Sequence, residues 1–509
     1  MNERWGNYLN SHWTRRLAVL LAAVVMSWPA LYNRYPLLYP DSISYLGDGP
    51  HIARAAFLRD FSGCYGYRSL IYSIGILPLH WNVTPWPIVA FNALVVSYIL
   101  WLVVRSLLPQ RTVTNFLSLA ISLSLLTGLG WLVGWIMPDV FGPLLYLSIY
   151  LLVFGDETLV PREHWTVALI AWWALASHAT HLLLAAIICA VLLVMLLIQH
   201  HTALQSLRKL SPVVTVTLVA LLAQLALNKY LNGEIALNSD HPPFLLARII
   251  ADGPGRWYLE QRCDELHFSI CAYAHDLPNN VDDFLWGANG WSESSPEKQR
   301  QLRDDEPRVL LGTVLAYPRE ELSLCIDHFR GQLLNYGVYS YDGNRWISEN
   351  IDTVLPGNGL SYQRSRQAES QLPEESFTSL QQWTVVVSLA VSGAWIAFAR
   401  PLWSRRLIGL TAIIICAVIA NAAIAGNFSN VEDRLQARVI WLVPLLAGIF
   451  VLTWLDRHVS PNKKQNRGNK LLLWRVVVEE PAHTKLGMSS GLHRGNLIWV
   501  FDFAVSRQG

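Results

Sequence analysis

About ten runs of apolar residues, each long enough to cross roughly 30 Å of hydrocarbon, dominate this sequence. A chain that places such runs in lipid must satisfy its backbone hydrogen bonds internally, so they read as helices. They lie near 14–33, 84–106, 113–131, 136–154, 165–181, 182–199, 211–230, 382–400, 406–426 and 438–455. The composition agrees, with 52% hydrophobic residues and 15% Asp, Glu, Lys and Arg, against about 25% charged residues in a soluble domain. The expected fold class is an all-α polytopic membrane protein with about ten transmembrane helices. A net charge of +2 supplies no global field for nucleic acid, which is excluded as a partner. The 22 Trp and 19 Tyr residues read first as anchors at the bilayer interfaces.

Basic residues orient the runs. With the N-terminus inside, Arg15, Arg16, Arg105, Arg111, Arg162, Arg208, Lys209, Arg400, Arg405, Arg406, Arg457, Lys463 and Lys464 all fall in cytoplasmic loops, as the positive-inside rule requires. The first run lacks a small-residue cleavage site and reads as a retained helix. The apolar segment 69–81 is too short to span and carries Gly75 and Pro78, so it reads as an interfacial or re-entrant helix. The organisation that follows is a transmembrane module over 1–230 with a first outer loop at 34–83. An outer insert follows at 231–381, then C-terminal transmembrane helices at 382–456 and a basic cytoplasmic tail at 457–509. Both termini lie inside, and a bacterial inner (plasma) membrane is the expected location. No repeat and no inverted halves are visible, which weighs against a secondary transporter.

The insert is long enough to form its own core and is expected to be mainly helical. Ser295-Pro296-Glu297 has the pattern of an N-cap, a first-turn proline and an acid near the positive helix end. Cys64, Cys263, Cys271 and Cys325 fall outside, where disulfides form. Cys263 and Cys271 are the expected pair, with two free thiols as the alternative, and no Cys/His spacing suggests zinc.

Ionisable groups at membrane depth are costly, so their position along the bilayer normal is informative. Asp41 follows the first run, Asp139 opens the fourth, His178 and His181 close the fifth about one turn apart and hence on one helix face, and Asp433, Arg434 and Arg438 enter the last. All lie at outer ends, which points to one shallow site, with Tyr45 also lining it. Simpler roles remain open for each: helix capping for Asp41 and Asp139, a bond to a nearby carbonyl for a histidine, and lipid head-group binding for Arg434 and Arg438. Chemically, a carboxylate serves as general base for an acceptor hydroxyl, and arginines neutralise a departing phosphate.

With Asp41 in the first outer loop, the stretch Gly66-Tyr67-Arg68-Ser69-Leu70-Ile71-Tyr72-Ser73 after it and a large late outer insert, the chain resembles the GT-C superfamily of membrane glycosyltransferases. Its nearest likeness is to the bacterial branch of aminoarabinose and protein mannosyltransferase-like enzymes. The resemblance covers roughly the first 200 residues and implies a polyprenyl-phosphate-linked sugar as donor, Asp41 as base and Arg68 on the donor phosphate. Where many members carry Asp-Glu, this chain has Asp41-Ser42, so Asp139 is the candidate for a second carboxylate. The pair would be the ligands of a divalent cation, Mg or Mn, should one take part. The prolines that follow the family arginine are replaced here by Ser69 and Leu70.

The resulting expectation is an inverting transferase moving a sugar to a lipid, glycan or protein acceptor at the outer face. Asp41 and Asp139 would be catalytic, with Arg68, Arg434 and Arg438 binding phosphate. The rival readings are a lipid-linked glycan transporter or flippase, which would need polar residues through the midplane, and a non-catalytic assembly protein that uses the insert to bind a partner.

Overall fold

The protein is described here by a computed structural model covering residues 12–62, 68–199, 201–238, 241–399 and 402–458. Residues 63–67, which include Cys64, Gly66 and Tyr67, and the basic tail beyond His458 lie outside the described residues. Through Asp456 the chain forms one compact unit, and of a second unit beginning at Arg457 only Arg457 and His458 are described. Among the described residues every regular element is a helix. A single bridge between extended segments, Leu37 to Trp135, occurs among them.

In chain order the helices are α1 (His12–Met26), α2 (Trp28–Asn33), α3 (Pro40–Leu58), α4 (Leu70–His80), α5 (Trp86–Leu107), α6 (Thr112–Leu126), α7 (Leu129–Gly134), α8 (Phe141–Phe154), α9 (Pro161–Ser177), α10 (Ala179–Ile198) and α11 (Ala203–Asn232). The insert contributes α12 (Phe244–Asp252), α13 (Pro254–Leu266), α14 (Val281–Trp286), α15 (Pro296–Ala316), α16 (Pro318–Leu334), α17 (Arg345–Val354) and α18 (Gly359–Gln363). The chain then returns through α19 (Glu374–Phe398), α20 (Arg405–Phe428), α21 (Asp433–Ile440) and α22 (Leu442–His458).

Among the described residues six helical segments are long and apolar enough to cross a membrane: α5, α10, α11, α19, α20 and the continuous stretch Asp433–His458. The other four apolar runs are helical too, but local chemistry shortens them. The first breaks at Ser27, whose hydroxyl donates back to Ala23 O, just before Pro29. The third stops at Leu126 ahead of Thr127 and Gly128, the fourth begins with a 3-10 turn at Pro138, and the fifth ends at Ser177 because His178 is extended. The faces that α10, α11 and α19 leave open carry Leu183, Val194, Leu218, Leu222, Val386 and Leu389. Aliphatic surface on that scale is unfavourable in water at about 25 cal/mol per Å² and costs nothing against lipid tails. The chain is therefore read as a helical integral membrane protein.

Segment 69–81 forms the 11-residue α4, too short to span, with Ser69 capping its first turn by accepting from Tyr72 N–H. A Cβ added at Gly75 would lie 1.7 Å from the Trp173 ring, so only glycine lets α4 lie this close to α9. Ser69 also donates to Ala176 O, which fixes the position of the neighbouring Arg68.

The insert contains two kinds of packing. Helices α12 to α15 enclose their own core of Leu246, Ile250, Leu259, Phe284, Leu302 and Val309, stapled by the Cys263–Cys271 disulfide. Ser295 caps α15 by accepting from Lys298 N–H, as its sequence pattern predicts. Residues of α17 and α18 instead join the main core through Ile347, Ile351 and Tyr362.

Two amides from the far end of this insert hold the segment that links α2 to α3. Gln367 is fully buried; its amide accepts from Leu38 N–H and donates to Leu38 O and Tyr341 O, while its N–H donates to Asn33 Oδ1. Asn358 accepts from the Tyr35 hydroxyl and donates to Val83 O. Leu37 donates to Gly134 O and accepts from Ile136 N–H, so the approach to Asp41 is tied to the approach to Asp139. Gln367→Leu keeps the volume but strands Leu38 N–H, Leu38 O and Tyr341 O. At about 1–3 kcal/mol per buried unpaired group, it should lower stability by roughly 3 kcal/mol or more, read as a fall in melting temperature in detergent; an unchanged melting point would contradict this clamp.

Candidate functional site

A cavity of about 760 Å³ opens where one end of the helix bundle meets the insert. Asp41, Tyr45, Arg68, Asp139, His178, Arg434 and Arg438 all line it, so residues spread over some 400 positions converge as their placement at helix ends predicts.

Asp41 lies in the first turn of α3, but it does not cap the helix. Ser42 Oγ accepts from Tyr39 N–H instead, and the Asp41 carboxylate accepts from the Arg68 guanidinium. Asp139, in the 3-10 turn Pro138–Val140, faces Arg438 at 3.4 Å, with both side chains under 5% exposed. Arg438 also donates to Asn421 Oδ1, and Asn421 donates in turn to Leu435 O and to the Gln436 side chain. Arg434 donates to Glu432 and sits 4.4 Å from the centre of the Tyr39 ring, a cation–π contact that keeps the guanidinium facing the cavity. Arg68, Arg434 and Arg438 are thus each held by a carboxylate.

Two expectations change, for the histidine pair and for Asp433. His178 and His181 do not share a helix face: His178 is the extended residue between α9 and α10, and its Nδ1 accepts from the Thr180 N–H. The rings still lie 5.2 Å apart, but His181 sits behind the wall, donating from Nδ1 to Ala174 O with Nε2 packed against Gly142. Asp433 turns away from the cavity and accepts from Tyr339 N–H, Ser340 N–H and the Ser340 hydroxyl. It anchors the insert to α21 rather than lining the site. Finally, no group of three or more His, Cys, Asp or Glu side chains that could hold a metal occurs among the described residues. Asp41 and Asp139 each face an arginine, so the side chains present do not make a divalent-cation site and no step below is routed through one.

The structure also adds groups that the sequence did not single out. Tyr39 and Glu432 frame Arg434, while Asp282, Trp286, Glu293 and Trp346 bring the insert into the wall. Asp48 follows Asp41 by seven residues and so lies on the same face of α3, a spacing that could have been read from the sequence. Burial pushes its carboxyl up to about 7, with Arg68 acting the other way.

No known protein family, curated protein or solved structure matches the chain.

Asp139→Asn leaves Arg438 as a buried charge without its partner, which typically costs about 3–5 kcal/mol. Adding Arg438→Met should recover part of that loss, and thermal melting of both variants checks it; a double variant no more stable than the single one would count against the pairing. For Asp48, the raised folded value against an ordinary value of 3.8 means that folding holds the proton more tightly. That contribution is complete below the unfolded value and is lost as pH rises through about 7. Asp48→Asn should therefore match the wild-type melting temperature near pH 4 and exceed it at pH 8, whereas equal curves at both pH values would show that Asp48 is well solvated.

Proposed function

We propose that the chain is a glycosyltransferase of GT-C type, taking a sugar from a polyprenyl-phosphate carrier to an acceptor hydroxyl at the outer face of a bacterial inner membrane. In this reading all ten apolar runs cross or enter the bilayer, the four short ones aided by tilt or by bilayer thinning. Both termini are cytoplasmic. The observation that carries the reading is the convergence of Asp41 with three arginines in one cavity bounded by membrane helices on one side and the insert on the other.

The chemistry is an in-line displacement. The acceptor hydroxyl gives its proton to Asp41 as its oxygen bonds to the anomeric carbon. The bond from that carbon to the phosphate oxygen breaks, and its electron pair leaves with the polyprenyl phosphate. The phosphate gains a negative charge as it departs, so guanidinium groups fixed beside it stabilise the transition state more than the ground state. Arg434 and Arg438, four residues apart on α21, suit that task. Arg68 has a second part to play: in the resting state it occupies the Asp41 carboxylate, and a donor phosphate that draws it away frees those lone pairs for the acceptor. Donor binding thereby readies the base. Asp139 keeps Arg438 in place until the phosphate arrives.

Reconstitution in liposomes with a labelled polyprenyl-phosphate sugar and a cell-envelope extract tests this directly. Wild type should transfer label to acceptor, and Asp41→Asn should lose at least about 100-fold of that activity, the scale of a missing general base, while eluting and melting as the wild type does. Full activity in Asp41→Asn overturns the assignment of the base. Translocation of the labelled lipid without transfer would make the protein a flippase.

A further inference from the structure

The two walls of the cavity differ in chemistry. The membrane wall holds its cations, Arg68, Arg434 and Arg438; the insert wall contributes no Lys or Arg to the lining among the described residues. It contributes the indoles of Trp286 and Trp346, 41% and 44% exposed, and the carboxylates of Asp282 and Glu293. Neither carboxylate has an ion-pair partner among the described residues.

Aromatic rings beside a few convergent polar groups in a concave surface are the usual make-up of a ligand pocket. Both indoles are also set on firm supports. Trp286 ends α14, whose Val281, Phe284 and Leu285 are buried in the core of the insert, and its ring meets Phe244 edge-on at 6.4 Å. Trp346 lies in the first turn of α17, where Asn344 accepts its N–H as the cap and the adjacent Ile347 is fully buried. Flat aromatic faces beside hydrogen-bond acceptors match a pyranose ring, which has an apolar C–H face and a rim of hydroxyl donors. A lipid tail would need an apolar wall in place of these carboxylates. A peptide bound by strand addition would need an open strand edge to pair with, and the described residues contain no strand. A phosphate would be repelled by Asp282 and Glu293 and drawn to the arginines opposite.

We infer that the insert wall is a carbohydrate subsite, with Trp286 and Trp346 stacking on neutral sugar rings of the acceptor and Asp282 and Glu293 accepting hydrogen bonds from their hydroxyls. The acceptor is then a glycan, bound from the outer side while the donor phosphate lies against the arginines. This rests on the transferase reading for the role of the subsite, but not for its ability to bind sugar.

The test uses the full-length protein in nanodiscs and two kinds of probe: neutral pentasaccharides of glucose and of N-acetylglucosamine followed by saturation-transfer NMR, and polyprenyl phosphate followed by equilibrium binding. Wild type should bind at least one pentasaccharide at millimolar concentration. Trp286→Ala and Trp346→Ala should each weaken that binding about tenfold or more, roughly the 1.4 kcal/mol that one well-stacked ring supplies, while Trp286→Phe and Trp346→Phe retain most of it. All four variants should bind polyprenyl phosphate as wild type does, which also reports that they are folded. If wild type binds neither pentasaccharide, or the alanine variants bind as wild type, the inference is overturned. If the sugars behave as expected and polyprenyl phosphate does not bind wild type, the carbohydrate subsite stands and the transferase reading falls.

Discussion

A charge removed from water must find a partner, and in this protein that requirement organises the end of the helix bundle that meets the insert. Arg438 and Asp139 are almost fully buried and face each other across segments far apart in the sequence. Neither would be tolerated alone, because an unpaired buried charge costs several kcal/mol. Their pairing brings α21 against the turn that precedes α8, and Asn421 on α20 joins them through Arg438. Arg68 with Asp41 and Arg434 with Glu432 repeat the arrangement at shallower positions. The cavity is the space these three pairs surround.

Amides rather than charges hold the approach to this site. Gln367 and Asn358, on the insert's return path to α19, supply the partners that the irregular chain from Asn33 to Leu38 cannot find in a helix. Irregular backbone beside a membrane is stable only where something satisfies it. That need explains why the insert packs partly into the main core and partly around a core of its own. The half with its own core presents α14 and its tryptophan to the cavity.

Much of this was legible in the residues. Ten apolar runs become helices, Ser295 caps the helix it precedes, and Cys263 bonds to Cys271 across eight residues. The outer-end location of Asp41, Asp139, Arg434 and Arg438 anticipates their meeting in one cavity. What failed did so for local reasons. His178 leaves the helix that spacing alone would give it, so it no longer shares a face with His181. Asp433 sits beside two cavity residues in sequence, yet three donors near Ser340 claim its carboxylate. Trp286 and Trp346 carried no signal, since 22 tryptophans in a membrane protein are expected at interfaces and nothing in their flanks separates a ligand platform from an anchor.

Hydrophobic periodicity and the expense of burying charge act over a few residues or along one axis. The amino-acid sequence therefore settled which segments are helices and at which end of them the costly groups gather. Which carboxylate each arginine meets, which acids turn away, and which residues of the insert close the cavity were decided by folding, because those outcomes compare partners hundreds of residues apart. Asp41 had a nearby N-cap role open to it and took Arg68 instead. The choice reflects geometry that exists only once α3, α4 and α9 have packed together.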